Sequence, residues 1–173
     1  MSPEAASDSQ NLCLSCGLCC NGGLHNWTNL RSKETAQAQA SGLQVFRLPQ
    51  GSPAFFQPCA AFHTPECSIY DHRPQSCRDY RCKLLVALEQ AQISLEDALV
   101  FTQRARELIT ALREHMDEPD PHLSLERQVR YQWSHAPPSP QAARILAELA
   151  ELLESHWGVR WSPLSGRLSR RRR

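Results

Sequence analysis

The feature that most constrains this sequence is the placement of its cysteines: all eight lie at or before Cys82 in a chain of 173 residues. Most of the leucine and alanine comes after Lys83, so the cysteine half has few of the side chains that build an apolar core. A segment with so little core needs cross-links, either disulfides or metal ions, to hold a single structure. The cysteines are therefore predicted to stabilise the first half of the chain.

The first four cysteines lie in the run CLSCGLCC, residues 13–20. A spacing of two residues lets a tight turn direct successive thiolates at one metal centre, and Gly17 permits the positive φ that such a turn needs. The run departs from a bacterial ferredoxin motif because Gly23 stands where the next cysteine would be, so a fourth ligand must come from elsewhere. Adjacent side chains diverge, and Cys19 and Cys20 are therefore predicted to serve two centres, or to be one ligand and one supporting residue.

The other four cysteines are Cys59, Cys67, Cys77 and Cys82. A regular helix starting at Pro74 would place Cys77 and Cys82 about 140° apart around its axis and roughly 7.5 Å apart along it. Sulfurs bound to one zinc ion are only about 3.8 Å apart. Either the helix starts or breaks between these two cysteines, or they bind separate centres. Eight thiolates suit two four-thiolate sites, a shared binuclear site, or a 4Fe–4S cluster plus a zinc ion.

Basic and histidine side chains near the cysteines are secondary candidates. Arg73 and Arg78 are predicted to contact the bound cofactor, by compensating thiolate charge or donating hydrogen bonds to sulfur; pairing with surface carboxylates is the alternative. For Arg81 and Lys83, pairing with surface carboxylates is the favoured interpretation. The histidines nearest to the cysteines are His25, His63 and His72. With eight sulfurs available, a histidine ligand is not required.

Four segments are predicted along the chain. They are a disordered N-terminus (1–11), a zinc- or iron-chelating cysteine cluster domain (12–90), a helical C-terminal region (91–160) and a basic disordered tail (161–173). Within the second segment, LQVFRL and residues 54–57 are separated by the turn sequence PQGSP, which predicts a short β-hairpin. The predicted fold class is α+β: a small metal-stabilised, cysteine-rich module with a hairpin, followed by a mostly α-helical half.

The helix predictions rest on capping residues and apolar periodicity. Pro74 predicts the first turn of a helix running to about Gln90. Ser94 and Asp97 resemble a capping box that begins a helix ending near Met116. Two further helices are predicted at residues 124–134 and 139–158. These amphipathic helices are expected to pack on each other and on the cysteine module, and they offer a surface for a protein partner.

Charge and hydropathy argue against a nucleic-acid-binding, secreted or membrane-spanning protein. The formal net charge is +1, but without the five arginines at 167 and 170–173 the chain has 14 basic against 18 acidic residues, or −4. No basic face is evident in this part, so nucleic-acid binding is not expected. The first ten residues lack the features of a secretory signal, and no stretch approaches the roughly 20 apolar residues that span a bilayer. A cytoplasmic location is expected, where closely spaced cysteines are metal ligands rather than disulfides.

The cysteine pattern resembles a known family. CxxCxxCC followed by CSIYDHRPQSCRDYRC is similar to the YkgJ-type cysteine cluster family, whose domain is described as chelating zinc or iron. The matching residues are Cys13, Cys16, Gly17, Cys19, Cys20, Cys59, Cys67, Tyr70, Arg73, Pro74, Cys77, Arg78 and Cys82. The resemblance covers about residues 11–85 and implies that the eight cysteines are the metal ligands.

Two classes of function agree with this resemblance. The first is a metal-binding protein that coordinates zinc or an iron–sulfur cluster, in which metal binding supplies folding free energy. The second is an iron–sulfur enzyme similar to the flagellin lysine N-methylase type, which has the same cysteine cluster. The chain has no glycine-rich nucleotide loop, and thiolate sites of the structural type are closed, so the first class is favoured. A metal-stabilised adaptor that docks a partner through its helices is compatible with either.

Overall fold

The computed structural model describes residues 7–63, 66–134 and 136–160. The helices are α1 (Asp8–Cys16), α2 (Thr35–Ala40), α3 (Gln75–Asp79), α4 (Lys83–Glu89), α5 (Leu95–Arg113), α6 (Leu125–Gln132) and α7 (Pro140–Trp157). The strands are β1 (Trp27–Asn29), β2 (Val45–Arg47), β3 (Pro53–Phe56), β4 (Phe62–His63) and β5 (Glu66–Cys67). The predicted α+β class is confirmed, with short antiparallel strands in the first half and the long helices in the second.

Helix α1 is an element that the sequence does not predict. Ser7 is its N-cap and accepts a hydrogen bond from the Gln10 amide at 3.3 Å, and Leu12 is buried in the main core. The expected disorder of residues 1–11 is therefore wrong from Asp8 onward, because the cap and the packing of Leu12 stabilise a short polar helix. Residues 1–6 and the predicted basic tail, 161–173, lie outside the described residues.

The predicted hairpin is confirmed as β2–β3, in which Val45 pairs with Phe55. Strand β1, which the sequence does not predict, joins the other side of β3 and gives the order β1-β3-β2. Strands β4 and β5 form a separate two-stranded sheet. Beneath the larger sheet lies a small apolar cluster, here called the small core: Leu30, Ala38, Leu43, Phe55 and Ala61.

The helix predicted from Pro74 to Gln90 is wrong as a continuous element. Pro74 is the N-cap of α3, the chain is extended at Tyr80 (φ −66°, ψ 127°), and α4 begins after Cys82. Cys82 is the N-cap of α4, and its Sγ accepts a hydrogen bond from the Leu85 amide at 3.4 Å. The helix therefore breaks between Cys77 and Cys82, which is one of the alternatives that their spacing predicts.

The C-terminal helices begin and end close to the predicted capping residues. Ser94 and Asp97 form the capping box of α5, and α7 extends from the N-cap Ser139 to Gly158, which has a φ of 70°. The shorter predicted helix is α6. Within the described ranges, no helix combines the length and apolar character needed to cross a bilayer.

The main core joins the two halves of the chain. Helix α1 packs on α4 and α5, and α5 packs on α7. Leu12, Cys16 and Leu18 from the cysteine half belong to the same buried cluster as Leu112 and Leu149 from the helical half. The cysteine module therefore rests on the C-terminal helices.

Candidate metal centres

All eight cysteines line a single cavity of about 140 Å³, and all are free thiols. The cavity lies where the two cores meet, since Leu84 and Leu85 from the main core and Leu43 and Phe55 from the small core also line it. Residues more than 60 positions apart in the sequence are thus brought to one place. The two cysteine blocks therefore lie around one cavity.

Helix α1 and the turn after it position the first block. Cys13 and Cys16 are three residues apart on α1, so they lie on the same side of the helix. The helix ends at Gly17, whose φ is 61° and whose amide donates to Cys13 O at 3.1 Å. The amide of Cys20 then donates to Gly17 O at 3.0 Å, forming the tight turn that carries Cys19 and Cys20. The predicted role of Gly17 is confirmed.

Four of the thiols form one set, here called the helix group: Cys13, Cys16, Cys19 and Cys82. Cys16 belongs to the main core, and Cys19 and Cys82 pack against it. Burial raises the pKa of Cys19 well above its ordinary value, and the neighbouring thiols, with Cys16 the largest contributor, raise it further. Burial likewise raises the pKa of Cys82 to about 11, opposed by the Leu85 amide and reinforced by Cys16 and Cys13.

The remaining thiols form a second set, here called the sheet group: Cys20, Cys59, Cys67 and Cys77. Cys59 and Cys77 pack against the small core, and Cys67 lies on β5. Burial raises the pKa of Cys20 to about 12, and the thiols of Cys59, Cys77 and Cys67 add to the shift. The pKa of Cys77 is raised to about 12 by burial, then by Cys59 and Cys67. A hydrogen bond of 2.8 Å from the Cys59 amide to Cys20 O ties the two segments together.

The two groups meet at the peptide between Cys19 and Cys20. Cys19 packs on the main core, whereas the largest electrostatic influence of another thiol on Cys20 comes from Cys59. The largest influence of another thiol on the pKa of Cys19 comes, in contrast, from Cys16.

Arg73 is the cation that both groups share. Its guanidinium lies 3.8 Å from the centre of the Tyr70 ring and lines the cavity, and its buried Nε has no hydrogen-bond partner. Its charge opposes the burial-raised pKa of Cys13 in the helix group and of Cys77 in the sheet group. Arg73 thus occupies a position from which it acts on both sets of thiols.

The other predicted cations make their hydrogen bonds and ion pairs away from the thiols, although the charge of Arg81 also opposes the raised pKa of Cys13. Arg78 donates from Nε to Arg73 O at 3.0 Å and from a terminal nitrogen to Asp71 O at 3.2 Å, so it holds the loop that carries Arg73. Arg81 forms an ion pair with Glu89 at 3.3 Å, as the surface alternative predicts. Lys83 donates to Ser155 O at 3.2 Å.

None of the three candidate histidines lines the cavity within the described ranges. His25 packs edge-on against Tyr80, with ring centres 5.1 Å apart, and burial lowers the pKa of its imidazole. Four aromatic residues that the sequence does not mark as part of a site line the cavity: Phe55 on β3, Phe62 at the start of β4, Tyr80 between α3 and α4, and Trp157 at the end of α7. No motif in the sequence distinguishes them from ordinary core residues.

The donor set fits a thiophilic metal. Four thiols in each group match the four-thiolate sets of structural zinc and of iron–sulfur clusters. In the described part of the chain, no three Cys, His, Asp or Glu side chains are already arranged to hold an ion. The thiols of each group must therefore close further around a bound metal, releasing their protons as they do so.

Comparison with protein families identifies the module. The family model CxxCxxCC, described as a putative zinc- or iron-chelating domain, matches residues 12–104. The match covers more than half of the chain and extends beyond the cysteines into α5. The comparison with curated proteins found no significant match, and neither did the comparison with solved structures. The chain therefore belongs to the CxxCxxCC family of zinc- or iron-chelating domains.

Proposed function

We propose that the protein is a metal-binding module with two four-thiolate centres, one held by the helix group and the other by the sheet group. The observation that carries this proposal is the division of the eight cysteines within one cavity: Cys16, Cys19 and Cys82 lie with the main core, and Cys59 and Cys77 with the small core. Cys13 and Cys16 share one side of α1, which supports the place of Cys13 in the first centre. The thiols of Cys59, Cys77 and Cys67 raise the pKa of Cys20 more than that of Cys13 does, which supports the place of Cys20 and Cys67 in the second.

Each centre combines distant segments of the chain. The helix group takes three thiols from α1 and its turn and the fourth from the start of α4. The sheet group takes one thiol from the same turn and three from the segment between Cys59 and α3. Metal binding in either centre therefore links parts of the chain that are distant in sequence, and its free energy contributes directly to folding.

The surroundings suit the charge of such centres. One zinc ion with four thiolates has a net charge of about −2. Arg73 lies beside both groups and offsets this charge, and amides such as that of Leu85 donate to sulfur. Four thiolates per centre complete the coordination of zinc or of a 4Fe–4S cluster, leaving no open position. This favours a structural or metal-storing role over the alternative of an iron–sulfur enzyme of the lysine N-methylase type.

The proposal extends to location and partners. Eight thiols kept reduced for metal binding suit the cytoplasm. A protein partner would dock on the C-terminal helices, where α5 exposes Val100, which is 61% exposed.

The test is metal content per chain after anaerobic purification, together with the visible absorption spectrum. Two zinc ions and no visible absorption, or iron and sulfide with visible absorption, support two centres and identify the metal. Cys82→Ser should remove the metal of one centre, Cys77→Ser that of the other, and the double variant both. His63→Ala, which changes an exposed histidine, is the matched control and should lose neither. If Cys82→Ser and Cys77→Ser removed the same ion, or if metal were absent altogether, the proposal would be wrong.

A further inference from the structure

Trp157 brings the C-terminal helix to the helix group. It is the last residue of α7, immediately before the left-handed cap at Gly158, and its side chain is 2% exposed. It lines the cysteine cavity, although α7 lies beyond the residues 12–104 that the family model matches. The cysteine module therefore has a wall that the family domain does not itself supply.

The polar edge of this side chain has no partner. Trp157 Nε1 is buried and makes no hydrogen bond within the described part of the chain. An indole N–H is a donor only, so burying it without an acceptor is unfavourable. A buried donor of this kind indicates that a ligand, or another state of the protein, supplies the missing hydrogen bond.

Cys16, which is 8% exposed, lines the same cavity as Trp157 and belongs to the same buried cluster. Burial raises the pKa of the Cys16 thiol, and the Leu18 amide, the Trp157 indole and the Thr102 hydroxyl, in that order, oppose the rise. The hydroxyl of Thr102 already donates to Ala98 O at 3.0 Å. Among the two side chains beside Cys16, only Trp157 has a proton left to donate.

We infer that Trp157 is a positioning residue of the helix group, donating a hydrogen bond from Nε1 to the Cys16 sulfur when that sulfur is a metal-bound thiolate. A thiolate is a stronger acceptor than a thiol, so metal binding supplies the partner that the indole lacks. The bond fixes the rotamer of Cys16 and stabilises its charge. This inference rests on the proposed function.

One consequence distinguishes this role from simple packing. Trp157 acts on Cys16, a thiol of the helix group, so its N–H should affect one centre only. The end of α7, outside the family domain, would then set the affinity of the helix group while leaving the sheet group unchanged.

The variant that isolates the N–H is Trp157→Phe, which keeps an aromatic ring and removes the donor. Trp133→Phe is the matched control, because Trp133 packs against the same core but does not line the cavity. Zinc affinity of the full chain is measured by chelator competition, and cobalt substitution reports the two centres through their thiolate-to-cobalt absorption bands. We expect Trp157→Phe to weaken one of the two ions by about 10-fold or more, as loss of a hydrogen bond to a ligand typically does. Trp133→Phe should weaken neither.

A second measurement uses the wild-type chain and does not depend on the folding of a variant. The indole N–H resonance of Trp157, assigned by its loss in Trp157→Phe or by selective labelling, should move downfield when zinc is added. An unchanged resonance, or equal weakening of both ions in Trp157→Phe, would overturn the inference while the proposed centres stood. Failure of the wild-type chain to bind two ions would instead overturn the proposed function.

Discussion

The ring of Phe62 lies so close to Gly17 that a Cβ on residue 17 would be 2.5 Å from Phe62 Cζ. Gly17 ends α1 and begins the turn that carries Cys19 and Cys20, whereas Phe62 begins β4, whose partner β5 contains Cys67. The contact therefore joins the backbone that forms the helix group to the sheet that forms the other group. A side chain at residue 17 would disturb both.

Gly17→Ala should consequently lower metal binding at both centres and destabilise the protein. The methyl group would meet a ring held by its strand, and a left-handed conformation costs an L-residue roughly 1–2 kcal/mol. Gly42→Ala is the control, since Gly42 has a φ of 80° but no atom within 4 Å of the added Cβ. Metal stoichiometry and the free energy of unfolding check this, with Gly42→Ala showing the backbone cost alone. Equal behaviour of the two variants would show that the Phe62 contact is unimportant.

Arg73→Gln should weaken both centres, because the one guanidinium opposes the raised pKa of a thiol in each group. Loss of such outer contacts typically lowers metal affinity by about 10- to 100-fold. Arg130→Gln is the control, because Arg130 pairs with Glu126 at 3.7 Å and does not line the cavity. Chelator competition on both variants measures the effect. If Arg73→Gln lowered the metal affinity of one centre only, Arg73 would not act on both sets of thiols.

The pH dependence should have opposite signs in the loaded and metal-free protein. Without metal, burial raises the pKa of Cys20 and Cys77 to about 12 from the ordinary value of 9.0. Such thiols favour the folded state below about pH 9, and their contribution is lost as the pH rises towards 12, because the unfolded chain then binds fewer protons. Metal, in contrast, displaces protons from the thiols, so the loaded protein should lose metal and stability as the pH falls.

Thermal unfolding followed over pH, with and without a chelator, measures both trends. If the chelated protein lost stability on acidification at the same pH as the metal-loaded protein, protonation of the thiols would not explain the pH dependence of the loaded protein.

Metal removal should affect the two halves of the chain unequally. A strong chelator is expected to expose the amides of the hairpin and the segment from Cys59 to Cys82, where the small core contains only five buried residues. Helices α5 and α7, which pack on each other in the main core, should keep much of their protection. Hydrogen exchange with mass spectrometry resolves the two regions. Uniform protection without metal would show that the centres are not structural.

Some elements follow from the sequence because local interactions determine them. The capping box of Ser94 and Asp97, and the Ser139 and Gly158 caps of α7, involve residues only a few positions apart or their own backbone. The hairpin β2–β3 likewise depends on two adjacent strands and their turn. The fold class and the CxxCxxCC family could also be predicted from the sequence.

Other features were decided by packing between distant segments. The sequence patterns at residues 1–11 and 74–90 indicate disorder and one helix, yet the burial of Leu12 extends α1 and the Cys82 cap separates α4 from α3. Which cysteines share a group depends on which core they pack against, and the presence of Trp157 beside Cys16 depends on how α7 lies across the main core. Spacing along the chain sets only which thiols are neighbours in sequence; the burial of apolar side chains from both halves decides which of them become neighbours in space.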